Sequence, residues 1–219
     1  MKKVIISFVV LVAAICSSNA QVFVGGELGM GFDGGNTKHG STTVDSPTTF
    51  EVRVSPKVGF YLNDNFAIGV EVLLGTSVYN DKAVSNETKE TELEWGIAPF
   101  ARFSVLEFGK FSVLVEGAAG VYGTSSKTKT GNTTVDLPST LSVGLNVAPL
   151  LSYSLTERIN LEMELNFLSL GIGSTTQTTE ISGSDDIKRN ETYFGVGVDS
   201  NNVFNRNLGA VTIGFIYKF

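Results

Sequence analysis

Residues 50–62 read FEVRVSPKVGFYL. Phe50, Val52, Val54, Pro56, Val58, Phe60 and Leu62 fall on one face, and Glu51, Arg53, Ser55, Lys57, Gly59 and Tyr61 on the other. A period of two sustained over this length predicts a strand, longer than the usual run of about five or six residues.

The same alternation recurs on both sides of this stretch. After Asn63-Asp64-Asn65 it resumes through Phe66, Ile68, Val70, Val72 and Leu74. Further alternating stretches cover 22–32, 93–105, 111–122, 141–153, 159–168 and the terminal AVTIGFIYKF, so eight strands are expected. Their connections alternate in length. Those at 63–65, 107–110 and 156–158 are tight; those at 33–48, 80–90, 125–139 and 174–191 are long and rich in Ser, Thr, Asn, Asp and Gly. An even number of antiparallel strands, with tight turns at one end and long loops at the other, is the layout of an outer-membrane barrel. The expected fold is therefore all-β: one eight-stranded antiparallel up-and-down transmembrane β-barrel over 21–219. A sandwich or lipocalin-like barrel in water would also alternate. Two features favour the inside-out arrangement. The apolar faces are large and continuous on all eight strands, and the opposite faces mix Gly, Ala and Ser with isolated charges. No strand edge can face lipid, so the sheet must close.

The first twenty residues support export. Lys2 and Lys3 precede an apolar run from Val4 to Ile15, and Ser18-Asn19-Ala20 offers small residues before Gln21. This is a secretory signal peptide with cleavage expected after Ala20. Lipidation at Cys16 is the alternative, and the bulky Ile15 before it disfavours that. Cleavage removes the chain's one cysteine, leaving no disulfide. In 21–219, 14 basic residues face 22 acidic ones, a net charge of −8 that argues against a nucleic-acid partner.

The hairpins repeat. VSPKVGFYL-NDN-FAIGVE, IAPFARFSV-LEFGK-FSVLVE and VAPLLSYSL-TER-INLEME each place a proline in the descending strand (Pro56, Pro99, Pro149). An aromatic follows four residues on, then a tight turn, then a Glu in the ascending strand: Glu71, Glu116 or Glu164. The first strand, with Glu27, fits the ascending half, and the last strand would supply the missing descending half, so the two should pair. Bulges near the rim would accommodate the mid-strand prolines, each of which removes a ladder donor. If the turns are symmetric, Lys57 lies opposite Glu71 and Arg102 opposite Glu116. Glu51, Arg53, Glu94 and Glu162 add charges to the same face. Carboxylates in a narrow low-dielectric bore stay ionised only when paired. The expectation is an internal salt-bridge network that fills the lumen, since eight strands leave an interior just wide enough for side chains. A proton or ion path is the functional alternative.

Little else carries chemistry. GVGVDS sits in no strand–helix unit, so phosphate binding is not expected. Asn86, Asn132 and Asn190 begin glycosylation-type triplets in loops rich in the same residues. His39, Asp45 and Asp81 lack the spacing of a catalytic triad. No catalytic residue, cofactor or metal site is expected. Residues 192–206 alternate weakly and would either extend the eighth strand or fold over the mouth.

The whole of 21–219 resembles the small outer-membrane β-barrels of Gram-negative bacteria, like the membrane domain of OmpA and like OmpX. SPKVGFYL and the ending of the chain are also similar to porin-family proteins of Bacteroidota. The resemblance implies an outer-membrane location, and lipids and the barrel-assembly machinery as partners. It implies that Val211, Ile213, Phe215, Tyr217 and Phe219 form the assembly signal. Nothing follows Phe219, so no peptidoglycan-binding domain is expected. Members of such a family are structural, adhesive, protective or occasionally enzymatic, and fold alone does not choose among them. The expected role is a non-enzymatic surface protein whose long loops meet an extracellular partner. A small porin or channel is the alternative, and a loop-based enzyme a more distant one.

Overall fold

Alternation becomes strand along most of the chain in a computed structural model that describes residues 21–39, 42–81, 87–165, 168–180, 185–196 and 211–219. The leader and its expected cleavage site lie outside the described residues. In chain order the strands are β1 (Val22–Asp33), β2 (Asn36–His39), β3 (Thr42–Asp45), β4 (Thr48–Asn63), β5 (Phe66–Asp81), β6 (Thr88–Phe108) and β7 (Phe111–Thr130). They continue as β8 (Thr133–Asp136), β9 (Ser139–Ser154), β10 (Ile159–Leu165), β11 (Leu170–Thr179), β12 (Ile187–Val196) and β13 (Val211–Lys218).

Eight of these form a closed antiparallel ring, β1-β4-β5-β6-β7-β9-β10-β13, which returns to β1. The closing rungs run from Phe23 opposite Lys218 to Glu27 opposite Gly214. Tight turns join the strands at one end. Asn63 Oδ1 accepts from the backbone of Asn65, Thr156 Oγ1 from those of Arg158 and Ile159, and Gly109 supplies a φ of +63°.

The ring is apolar outside and polar inside. Phe215 is 59% exposed and Trp95 49%, whereas Arg102, on the inner face, is 1% exposed. A protein dissolved in water hides its large apolar side chains and almost never fully buries an arginine without a partner.

Expectations about the connections and the strand ends are corrected. The long connections are not loops throughout, because β5, β6 and β7 run on past the apolar stretch, β2 pairs with β3, and β8 pairs with β7. Residues 192–196 belong to β12, which pairs with β11 and not with the eighth ring strand; 197–206 lie outside the described residues. Of the strand read over 159–168, Ile159–Leu165 is β10, 166–167 lie outside the described residues and Leu168 is not strand; β11 continues its course against the upper half of β9.

Bulges do occur near the turns, at Tyr61–Asn63 and Ser104–Leu106. They do not house the prolines. The β4–β5 ladder passes from Val54–Leu74 to Lys57–Glu71, leaving out the rungs of Ser55 and Pro56 without changing register. The β6–β7 ladder likewise passes from Ile97–Val121 to Phe100–Ala118, skipping Pro99. Pro149 lies where β9 changes partner: Leu150 pairs with Glu164, but Val147 pairs with Leu170. Each proline therefore sits at a gap in the ladder toward the strand that follows it, because proline offers no N–H there.

Candidate functional site

The bore is crossed by a charge network whose members come from six of the eight ring strands. On β4, Lys57 directs Nζ at Glu27 of β1 (2.8 Å), Glu116 of β7 (3.6 Å) and Glu71 of β5 (3.8 Å). On β6, Arg102 donates through Nε and Nη2 to Glu116 Oε2 at 3.0 and 2.5 Å, and through Nη1 to Glu162 of β10 at 2.8 Å. Glu116 is thus shared between the two cations. Lys57 and Glu71 are direct cross-strand neighbours, as are Arg102 and Glu116.

Local sequence places each member. Inward positions share one parity on each strand, and the rungs of neighbouring strands bring those positions to one height. Glu27 and Glu162 both oppose Gly214, from either side of β13. Aromatic rings floor the cluster: the Arg102 guanidinium carbon lies 5.4 Å from the Phe23 centroid and 5.5 Å from that of Phe100. Such distances suit cation–π attraction, which strengthens when the site is desolvated.

A second pair lies toward the long-loop end, where Arg53 donates through Nη2 to Glu94 Oε1 at 2.6 Å and through Nε to Glu94 Oε2. Glu51 is half-buried opposite Gly31 and Ser77 and joins no ion pair among the described residues. Glu164 is buried between Leu150 and Thr212 on its two neighbouring strands.

Sequence reasoning passed over the inner aromatics as part of the site. Phe23 is fully buried and lies over Gly59; Tyr122 lies over both Gly96 and Gly120. A Cβ at Gly96 or Gly120 would collide with the Tyr122 ring. The usable signal was parity. Phe23 shares its face with Gly25 and Glu27, so it had to point inward.

Above the second ion pair, the bore opens into a cavity of about 370 Å³ at the long-loop end. Glu90, Glu92 and Glu94 line one side of it, and Ser126, Ser142 and Thr175 are among the hydroxyls on the others. Glu92 accepts from Ser126 at 3.1 Å, and the Ser142 and Thr175 hydroxyls are 2.9 Å apart. Among the described residues, no group of three or more His, Cys, Asp or Glu side chains is arranged to hold a metal.

The terminal stripe forms β13. Ile213 and Phe215 face outward, and Tyr217 and Phe219 pack edge to face at 5.1 Å. The Phe219 amide donates to the Val22 carbonyl at 3.0 Å, and that of Lys218 to Arg158 at 2.7 Å, so both sides of the strand end are tied. Val211 sits opposite Leu165 in the ladder.

No protein-family model matches the chain, and no curated protein matches its sequence. Among solved structures, the chain is similar to Neisserial surface protein A at 12% identity and a TM-score of 0.38, over 92% of this chain and 100% of that one. It is similar to Ail, the attachment invasion locus protein of Yersinia pestis, at 12% identity and a TM-score of 0.38, over 91% of this chain and 97% of that one. A third similar structure is a major outer membrane protein of Thermus thermophilus, at 13% identity and a TM-score of 0.41, over 90% of this chain and 99% of that one.

Proposed function

We propose that the protein is a non-enzymatic outer-membrane barrel with a plugged bore, whose extended strands and loops on the cell surface meet an extracellular partner. The observation that carries this reading is the inversion of burial around a closed ring: Arg102 and Glu116 inside, Phe215 and Trp95 outside. Only a lipid surrounding makes that inversion favourable, and closure leaves no unpaired strand edge in the ring for lipid to meet. The signal-peptide pattern and the tight-turn geometry agree with export and with the turns facing the periplasm. The terminal stripe acts as the signal for the barrel-assembly machinery.

The braced interior favours a structural or surface-interaction role over transport. A channel would need a water path past Lys57, Arg102, Phe23 and Phe100, which together occupy the bore. The cavity at the long-loop end is what the channel alternative has in its favour. Planar-bilayer recording with the pure protein separates the two. The plugged barrel gives no stable large single-channel steps; reproducible steps of that kind would establish the channel instead.

A further inference from the structure

We infer that the outward face of the β6–β7 ribbon, where Lys89, Lys127 and Lys129 stand above Trp95, is a docking surface for the phosphate of an anionic lipid headgroup. The inference rests on the membrane reading above and adds a specific lipid class and place to it. On this face the rungs ascend in order. Trp95 pairs with Gly123, Leu93 with Ser125, Thr91 with Lys127, and Lys89 with Lys129. Trp95 and Leu93 are about half exposed and are the last large apolar side chains on the outer side of β6. Lys127 is one pleat above Leu93, and the Lys89–Lys129 pair is two. With a strand rise of about 3.3 Å per residue and a tilt of about 40°, these rungs lie roughly 5 and 10 Å above the apolar edge. The lower rung falls within a headgroup layer about 5–8 Å thick, and the upper one stands just above it, within reach of a lysine side chain.

Two like charges directly opposite on a ladder destabilise each other. Lys89 and Lys129 are such a pair, in a chain whose net charge is otherwise negative. The one carboxylate ion-paired to this triad among the described residues is Asp136, 3.1 Å from Lys127 and 76% exposed. Two cations remain, flexible enough to snorkel down to a phosphate, with an indole below them for the acyl chain. An anion between the lysines turns their repulsion into shared attraction.

Trp95 is the chain's only tryptophan and reports on this patch directly. The protein is folded into phosphatidylcholine vesicles containing a minor fraction of brominated phosphatidylglycerol or, in a parallel sample, brominated phosphatidylcholine. Trp95 quenching is then read at low and high salt. A lysine beside an anionic surface gives roughly a fivefold preference, so two free lysines predict on the order of 25-fold enrichment of the anionic lipid at low salt. The excess quenching should fall with salt and vanish in the surface variant Lys89→Gln/Lys127→Gln/Lys129→Gln. Equal quenching by the two brominated lipids in the native chain would overturn the inference, as would an excess that survives in the triple variant. Absence of quenching by either lipid would instead overturn the membrane reading itself, so the two failures are distinguishable.

Discussion

Arg102 and Glu116 face each other across the β6–β7 ladder, and the guanidinium gives Glu116 two of its hydrogen bonds while turning a third toward Glu162. One fully buried cation therefore holds three strands of the ring together. Charges at this depth are retained only with their partners.

Replacing Arg102 with alanine takes the guanidinium from two buried carboxylates, Glu162 and Glu116, of which Glu116 retains Lys57 at 3.6 Å. A loss of about 3–5 kcal/mol of stability is expected. Arg102→Met combined with Glu116→Gln and Glu162→Gln should recover much of it, since neutral groups of similar size carry a far smaller desolvation cost. Arg102→Lys should recover less, because a point charge cannot reproduce the forked contact. Urea unfolding of the detergent-refolded variants measures all three, and a single variant as stable as the native chain would remove the network from the account.

Gly96 and Gly120 are covered by the same tyrosine ring, Tyr122. Gly96→Ala forces that ring to shift and should cost about 1–3 kcal/mol, the usual cost of overpacking. In the background of Tyr122→Ala the same change should be nearly neutral. The double-mutant cycle isolates the coupling, and additive effects would show that the ring does not rest on these glycines.

Deleting Phe219 separates assembly from stability. Its side chain is 67% exposed at the rim, so its loss should cost less than the roughly 1.5–3 kcal/mol of a fully buried apolar side chain. Before closure, however, β13 is an unpaired edge that must be captured. Surface accumulation in cells should fall sharply, while refolding of the pure variant in detergent should stay near native. Normal surface levels would contradict the assembly-signal role.

Much of the ring was legible because the outer and inner faces of a closed barrel carry opposite chemistries on alternate residues. In β4, the parity that sends Val54 and Val58 outward sends Arg53 and Lys57 inward. The tight turn after Tyr61 then sets Lys57 opposite Glu71. Legibility ended where that contrast ended. Above the apolar edge neither face of β6 and β7 packs against an apolar surrounding, so Thr88–Glu92 and Ser125–Thr130 show no apolar period although their threonines suit a strand. Glu164 occupies the repeat position of Glu71 and Glu116, yet Arg102 reaches Glu162. The reason is the register along β13, which brings Glu162 level with Glu27 through Gly214. The exchange of β10 for β11 beside Pro149 adds three residues to the ascending side and is invisible in a pattern of alternation. Phe23 escaped notice because an inner face read as polar still needs volume to fill its bore.

The claim on which everything else depends is that burial is inverted, and adjacent residues of β9 test it. Leu151 faces outward and is 39% exposed, while Ser152 faces inward and is 2% exposed. Leu151→Cys and Ser152→Cys, each made in a chain that starts at Gln21 and so lacks Cys16, and folded into vesicles, are exposed to a thiol probe confined to the lipid phase. The account predicts labelling at 151 and protection at 152. Labelling at 152 with protection at 151 would contradict it, and the apolar face of the sheet would then be the core of a protein dissolved in water.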